Sequence, residues 1–163
     1  MVLHIEKPPH LPGEIIRVVN LQESNVDIGS TILPQDNSIP QNNQGDQYMT
    51  LAITPRHAAN ILMIDVVINL AHGSNNDTMA AALFQDDIAG ALAAMQCARN
   101  ANAHSPCHIV FKHWMVAGTT SSTTFKVRGG CNVVGTTTFN GQNAGRIFGG
   151  VMASSITITE IKQ

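Results

Sequence analysis

The chain has 163 residues, room for one domain around one hydrophobic core. Apolar residues make up 44% of it and charged residues only 12%, which excludes a disordered segment and suits a surface that buries much of itself against other subunits. A net charge of -2 with nine scattered Lys and Arg leaves no electrostatic footprint for nucleic acid.

Met1 to Pro12 contains Lys7 and the prolines Pro8, Pro9 and Pro12, without the apolar run of a signal peptide. Each proline removes a backbone donor, so the segment is expected to be an extended arm, with a folded domain over residues 13–163. Glu14 to Leu21 and Asn25 to Leu33 are β-prone, and Gln35 to Gln47 is a polar loop whose composition cannot bury a core. Tyr48 to Thr54 alternates, with Met49, Leu51 and Ile53 facing one way and Tyr48, Thr50, Ala52 and Thr54 the other. Ile61 to Leu70 carries a wholly apolar face of Leu62, Ile64, Val66, Ile68 and Leu70. Its opposite face, Ile61, Met63, Asp65, Val67 and Asn69, is too apolar for a wet side and is expected to be partly covered by another subunit. Asp65 and Asn69 interrupt the run, which is too short to span a bilayer.

Thr78 to Arg99 is open on local grounds. Its alanines favour a helix, while Asp86-Asp87-Ile88-Ala89-Gly90 is turn chemistry between two pieces of strand length, Ala81 to Gln85 and Ala91 to Gln96. Asn100 to Pro106 reads as a loop. Cys107 to Ala117, Thr123 to Arg128, Val133 to Phe139 and Ser154 to Ile161 then follow as strands, punctuated by Gly118, Gly129-Gly130, Gly141 and Gly149-Gly150. Short strands at this spacing predict an all-β sandwich or barrel.

Three blocks in order resemble phage and prophage tail-fibre and virion proteins: Gly45 to Pro55 (GDQYMTLAITP), Gly135 to Gly141 (GTTTFNG) and Gly149 to Glu160 (GGVMASSITITE). The resemblance runs from about Gly13 to the last residue. It implies a jelly-roll β-sandwich of the trimeric tumour-necrosis-factor and complement-globular-head type, and it favours a hairpin over Thr78–Arg99. Tail-fibre relatives carry a long anchor and shaft before this domain. The arm of twelve residues here reaches at most ~40 Å, which points to a capsid decoration (cement) protein over a fibre tip.

Chemistry-bearing residues are weaker signals. His108 and His113 are five apart on a strand and point to opposite faces, while His104, Cys107 and His108 offer three loosely spaced ligands without a fourth, so no metal or other cofactor is expected. Asp86-Asp87 at a hairpin tip diverge, Asp65 is expected to be paired with Arg or a backbone donor, and no nucleophile elbow or ordered triad is present. The Gly145 to Gly150 stretch precedes a strand and reads as a turn, with no helix dipole to hold phosphate. Trp114 and Tyr48 could stack on sugars, though a lone Trp on an alternating strand belongs more often to a core or an interface. Cys97, Cys107 and Cys131 are odd in number without CxxC spacing, so no disulfide is expected and a host cytoplasm suits the chain.

The sequence therefore leads to a non-enzymatic homotrimer on the surface of a tailed-phage virion, with no nucleic-acid or membrane partner. Leu3, Ile5 and Leu11 are the expected docking residues towards other virion proteins, chiefly the major capsid protein, and Ile61, Met63, Asp65, Val67 and Trp114 the expected trimer interface. The alternative is a receptor-binding fibre tip contacting host surface glycans through Asn42–Asp46, Gly73–Asp77 and Asn100–His104.

Overall fold

A computed structural model describes residues 12–74, 78–98 and 104–163, so Leu3, Ile5 and Leu11 of the expected docking arm lie outside the described residues. Eight strands carry the architecture: β1 (Ile15–Glu23), β3 (Asp46–Ile53), β4 (Ile61–His72), β5 (Thr78–Gln85), β6 (Ala93–Ala98), β7 (Cys107–Val116), β8 (Thr123–Cys131) and β12 (Ser154–Ile161). Shorter pieces are β2 (Asp27–Gly29), β9 (Thr137–Phe139), β10 (Gly141–Gln142) and β11 (Gly145–Arg146), with one 3₁₀ turn at Phe148–Gly150. All pairings are antiparallel.

The first sheet runs β1-β12-β4-β7 and the second β3-β8-β5-β6. Numbered one to eight along the chain, the main strands are thus ordered 1-8-3-6 and 2-7-4-5, the double Greek key of a jelly roll. β9 lies end to end with β12 along one edge of β4, where Ser155 pairs with Val67 and Phe139 with Leu70. β2 pairs with β9 and so prolongs β1.

Alternation in β4 fixes the core. Leu62, Ile64, Val66, Ile68 and Leu70 are wholly buried and join one cluster with Met49, Ile53, Leu83, Phe125 and Val127 of the second sheet. Each such side chain contributes roughly 1.5–3 kcal/mol by leaving water. Thr78–Gln85 and Ala93–Ala98 form the hairpin, and helix propensity loses because the alanines fill tight positions between two ladders. Asp86 takes a φ of 49° in the turn, where its carboxylate accepts from the Thr123 hydroxyl at 2.9 Å and the Thr124 N–H at 2.8 Å.

Four expectations are corrected. Tyr48 does not share an outward face with Thr50 and Ala52. A bulge between Gln47 and Met49 turns it inward, where its ring stacks on Phe139 at 4.8 Å between centroids. Gly129-Gly130 lies inside β8 and not at a turn. Val133 to Thr136 is not strand, because the chain is crossing there from the second sheet to the first and can join neither ladder. Of the β-prone stretch Asn25 to Leu33 only Asp27–Gly29 is strand, and Leu33 beyond it is only 1% exposed, packing with Ala80, Ala82 and Phe84 on the outer face of the second sheet.

Candidate functional site

Residues of odd number on β4 and even number on β7 face away from the core, and β4 and β7 are neighbours. The register sets Ile61 against Val116, Met63 against Trp114, Asp65 against Lys112 and Val67 against Val110. All five residues expected at an interface, Ile61, Met63, Asp65, Val67 and Trp114, therefore sit on one outward face. Trp114 is 56% exposed there, which removes it from the core reading, and Val110 and Val116 are exposed beside it. These two valines were missed at the sequence level. The alternation Val110, Lys112, Trp114, Val116 carried the signal, obscured because the intervening Phe111 and Met115 are apolar as well.

Polar groups divide this face. The Lys112 ammonium lies 3.0 Å from the Asp65 carboxylate and 3.6 Å from the Met63 sulfur, so Asp65 is paired with Lys, not with Arg or a backbone donor. Both charges are partly exposed, and such a pair contributes about 0–1 kcal/mol. Towards β1, the Asn20 amide donates to the Thr157 hydroxyl at 2.7 Å, and the face becomes hydrophilic.

Asn69 departs from the expected pattern, because its cover comes from its own chain. Its Nδ2 donates to the Ala153 carbonyl at 2.7 Å, its backbone N–H donates to Ser154 Oγ at 2.9 Å, and its Oδ1 meets His108 Nδ1. Ser154 Oγ donates onward to Asn140 Oδ1 at 2.7 Å, and Asn140 Nδ2 donates to the Glu23 carbonyl at 2.7 Å. This buried network fills the gap between β12 and β9, where the edge of β4 would otherwise lack partners.

The other chemical candidates are dispersed. Cys107 is buried and His108 exposed on opposite sides of β7, so the loop cluster with His104 does not form. Among the described residues no group of three His, Cys, Asp or Glu could hold a metal ion. Asp86 is occupied as described and Asp87 pairs with Lys126 at 3.2 Å. No helix of the described residues is long and apolar enough to cross a membrane.

The two ends of the sandwich differ. The Gly13 N–H donates to the Lys162 carbonyl at 2.7 Å, so the first described residues lie beside the end of the last strand. At that end a cleft of about 550 Å³ is lined by Ile16, Arg56, His57, Ala59, Asn60 and Lys162. At the opposite end a niche of about 160 Å³ is lined by Gly73, His104, Thr136, Thr138, Asn143 and Ala144. His104, Asn143 and Ala144 hold positive φ there, at 63°, 51° and 58°.

No protein-family model matches the chain, and no curated protein matches it in sequence. Among solved structures, Eiger TNF from S. frugiperda superposes with a TM-score of 0.50 at 13% identity, covering 90% of this chain and 94% of that one. Weaker likenesses include infectious bursal disease virus Gt strain, at a TM-score of 0.44 and 11% identity over 99% of this chain and 43% of that one. The sugar-binding C-terminal domain of EclA follows at 0.36 and 12%, over 86% and 83% of the two chains. At such identities the likeness is one of fold. Strand order and superposition agree on a jelly-roll sandwich like that of the tumour-necrosis-factor proteins.

Proposed function

We propose that this protein is a non-enzymatic structural component of a tailed-bacteriophage virion, a homotrimer that decorates or cements the capsid surface. The observation that carries the reading is the outward face of β4 and β7, where the pairs Met63–Trp114 and Val67–Val110 flank the Asp65–Lys112 ion pair and Val116 lies exposed beside them. Exposed apolar side chains gathered on one face and bordered by polar groups mark an interaction surface. The three virion-like sequence blocks supply the context, and the family they resemble supplies the three-fold assembly.

Sedimentation equilibrium should give a trimer at about 10 μM, a concentration that corresponds to roughly 7 kcal/mol for each of the two association steps. Replacing both Met63 and Trp114 by Glu should give a monomer whose own melting is nearly unchanged. A wild-type monomer at that concentration would overturn the reading. On the particle, copies in the hundreds would mark a decoration protein.

One observation favours the second reading, a glycan-binding fibre tip. The small polar niche joins Gly73 and His104, which belong to two of the three loops expected to meet glycans, at the end remote from the arm. Residues 75–77 and 99–103 of those loops lie outside the described residues. A few dozen copies or fewer per particle, with binding to host glycans lost in His104→Ala, would replace the first reading by this one.

A further inference from the structure

Between β9 and β12 the chain makes an excursion whose two ends meet at Asn69. The Asn140 N–H donates to the Asn69 carbonyl at 3.1 Å where the excursion leaves, and the Ala153 carbonyl accepts from Asn69 Nδ2 where it returns. Register fixes the side it takes. Ala71 has the outward parity of β4, yet it is fully buried and does not join the core between the sheets. Its pair partner Thr138 is buried with it, and Thr138 Oγ1 accepts from the Ala144 N–H at 3.0 Å. The hairpin β10–β11 therefore lies over this pair, on the outside of the first sheet. The face that carries Met63 and Trp114 thus ends, beyond Val67, at a ledge made by residues 140–153.

The last turn of the ledge holds a bulky side chain where the backbone resists it. Phe148 takes a φ of 51°, and Gly149 and Gly150 follow at 62° and 92°. Such strain is kept where the geometry serves a function. Phe148 gains no cover for it within its own chain: its ring is 73% exposed, and Val151 beside it 83%. A Cβ at Gly150 would stand 2.7 Å from Arg146 Nη1, so the guanidinium lies against the base of the turn. A ring, an isopropyl group and a guanidinium are presented together from the ledge.

We infer that the Phe148–Val151 turn is the projecting half of the contact between two copies of this chain, and that it seats on Met63 and Trp114 of the next copy. The inference rests on the trimer reading of the outward face and adds to it the other half of the contact. A three-fold ring is closed by heterologous contacts, in which each copy offers one surface to one neighbour and a different surface to the other. The patch on β4 and β7 supplies one of these. The ledge, continuous with it through Asn69, supplies the other. Their chemistries match, since a thioether sulfur packs on a phenyl ring and a guanidinium on an indole. Within one copy Phe148 and Trp114 both stay exposed, and Met63 lies about 20 Å along β4 from Asn69.

The test uses the single Trp of the chain as its reporter. Phe148→Asn removes the ring and suits the left-handed backbone. It should melt no lower than the Met63→Glu/Trp114→Glu monomer, and in sedimentation its association should be weakened about a hundredfold. Phe148→Asn keeps the patch and Trp114, while Met63→Glu/Trp114→Glu keeps the turn and has no Trp. Titrating the first with the second should shift Trp114 emission to the blue, saturably. The same titrant carrying Phe148→Asn as well should give no shift. Absence of a saturable shift, or an equal shift from that triple variant, would overturn the inference. Melting well below the double variant would make Phe148 a folding residue and overturn it too. A Phe148→Asn protein that stays trimeric overturns the inference and leaves the trimer reading standing. If that trimer no longer attaches to particles, the turn belongs to the capsid contact instead. A wild-type monomer sinks both readings.

Discussion

On the second sheet, Leu33 and Pro34 follow a crossing segment that brings them over β5, and the outward side chains Ala80, Ala82 and Phe84 are buried beneath. On the first sheet the corresponding residues, Val110, Trp114 and Val116, have half or more of their surface exposed. The difference lies in what the chain supplies for the purpose. Gly130 pairs with Ala80, and a Cβ added at Gly130 would stand 2.8 Å from the Thr31 carbonyl oxygen, so the absence of side-chain bulk lets the covering segment lie close. The first sheet has Trp114 and Met63 at facing positions, large side chains that leave no room for a flat cover from the same chain. The face covered from within carries two alanines beside Phe84, and the exposed one carries Met63 and Trp114.

Three perturbations would break or sharpen this contrast. The largest effect is expected from Leu33→Ala, which removes the anchor of the internal cover. It should cost about 2–5 kcal/mol, read as a lower urea midpoint. A variant as stable as wild type would mean that the covering segment is incidental.

Ser154→Ala addresses a place where the first sheet is covered from within. It leaves the Asn69 N–H and Asn140 Oδ1 without their best partner. The expected loss is about 1–3 kcal/mol, measured by the same unfolding curve, with trimer assembly unchanged. Assembly lost together with stability would show that the network belongs to the interface.

The smallest effect concerns pH. His113, on the inward side of β7, has its pKa held below the ordinary imidazole value by burial. The unfolded chain therefore binds the proton more readily, and stability falls as pH drops from about 6.5 towards the folded-state value. Its contribution is fully present above that range. His113→Gln should flatten the melting temperature between pH 5 and 7, by an amount kept small because the ring is mostly solvated (roughly a degree or two). An unchanged slope would assign the pH response to another group.

Alternation told the inward from the outward face of β4 correctly, because a period of two is a direct record of strand geometry. It could not tell what lies over an outward face. Ile32 and Leu33 stand together before a polar loop, and nothing local says which of them is the anchor and which the exposed residue. Tyr48 was misassigned because one inserted residue inverts the parity, and a bulge has no compositional mark here. Val133 and Val134 have strand propensity but occupy a crossing, which is a property of topology. The cleft escaped notice because Arg56, His57, Asn60, Glu160 and Lys162 meet only when the last strand is in place.

The position of that last strand has a consequence for how the molecule comes into being. β12 is synthesised after every other strand, yet it lies between β1 and β4, and each of them pairs with it along nearly its whole length. A chain lacking Ser154–Ile161 holds β1 with no neighbour to zip to and β4 with one edge bare over residues 61–67. Such a chain is open to strand exchange with its siblings on one polysome, since an unpaired edge is a template for whatever strand arrives first. Completion of the first sheet therefore waits on one strand, and removing Ser154–Ile161 would yield an insoluble product, not a slightly weaker one.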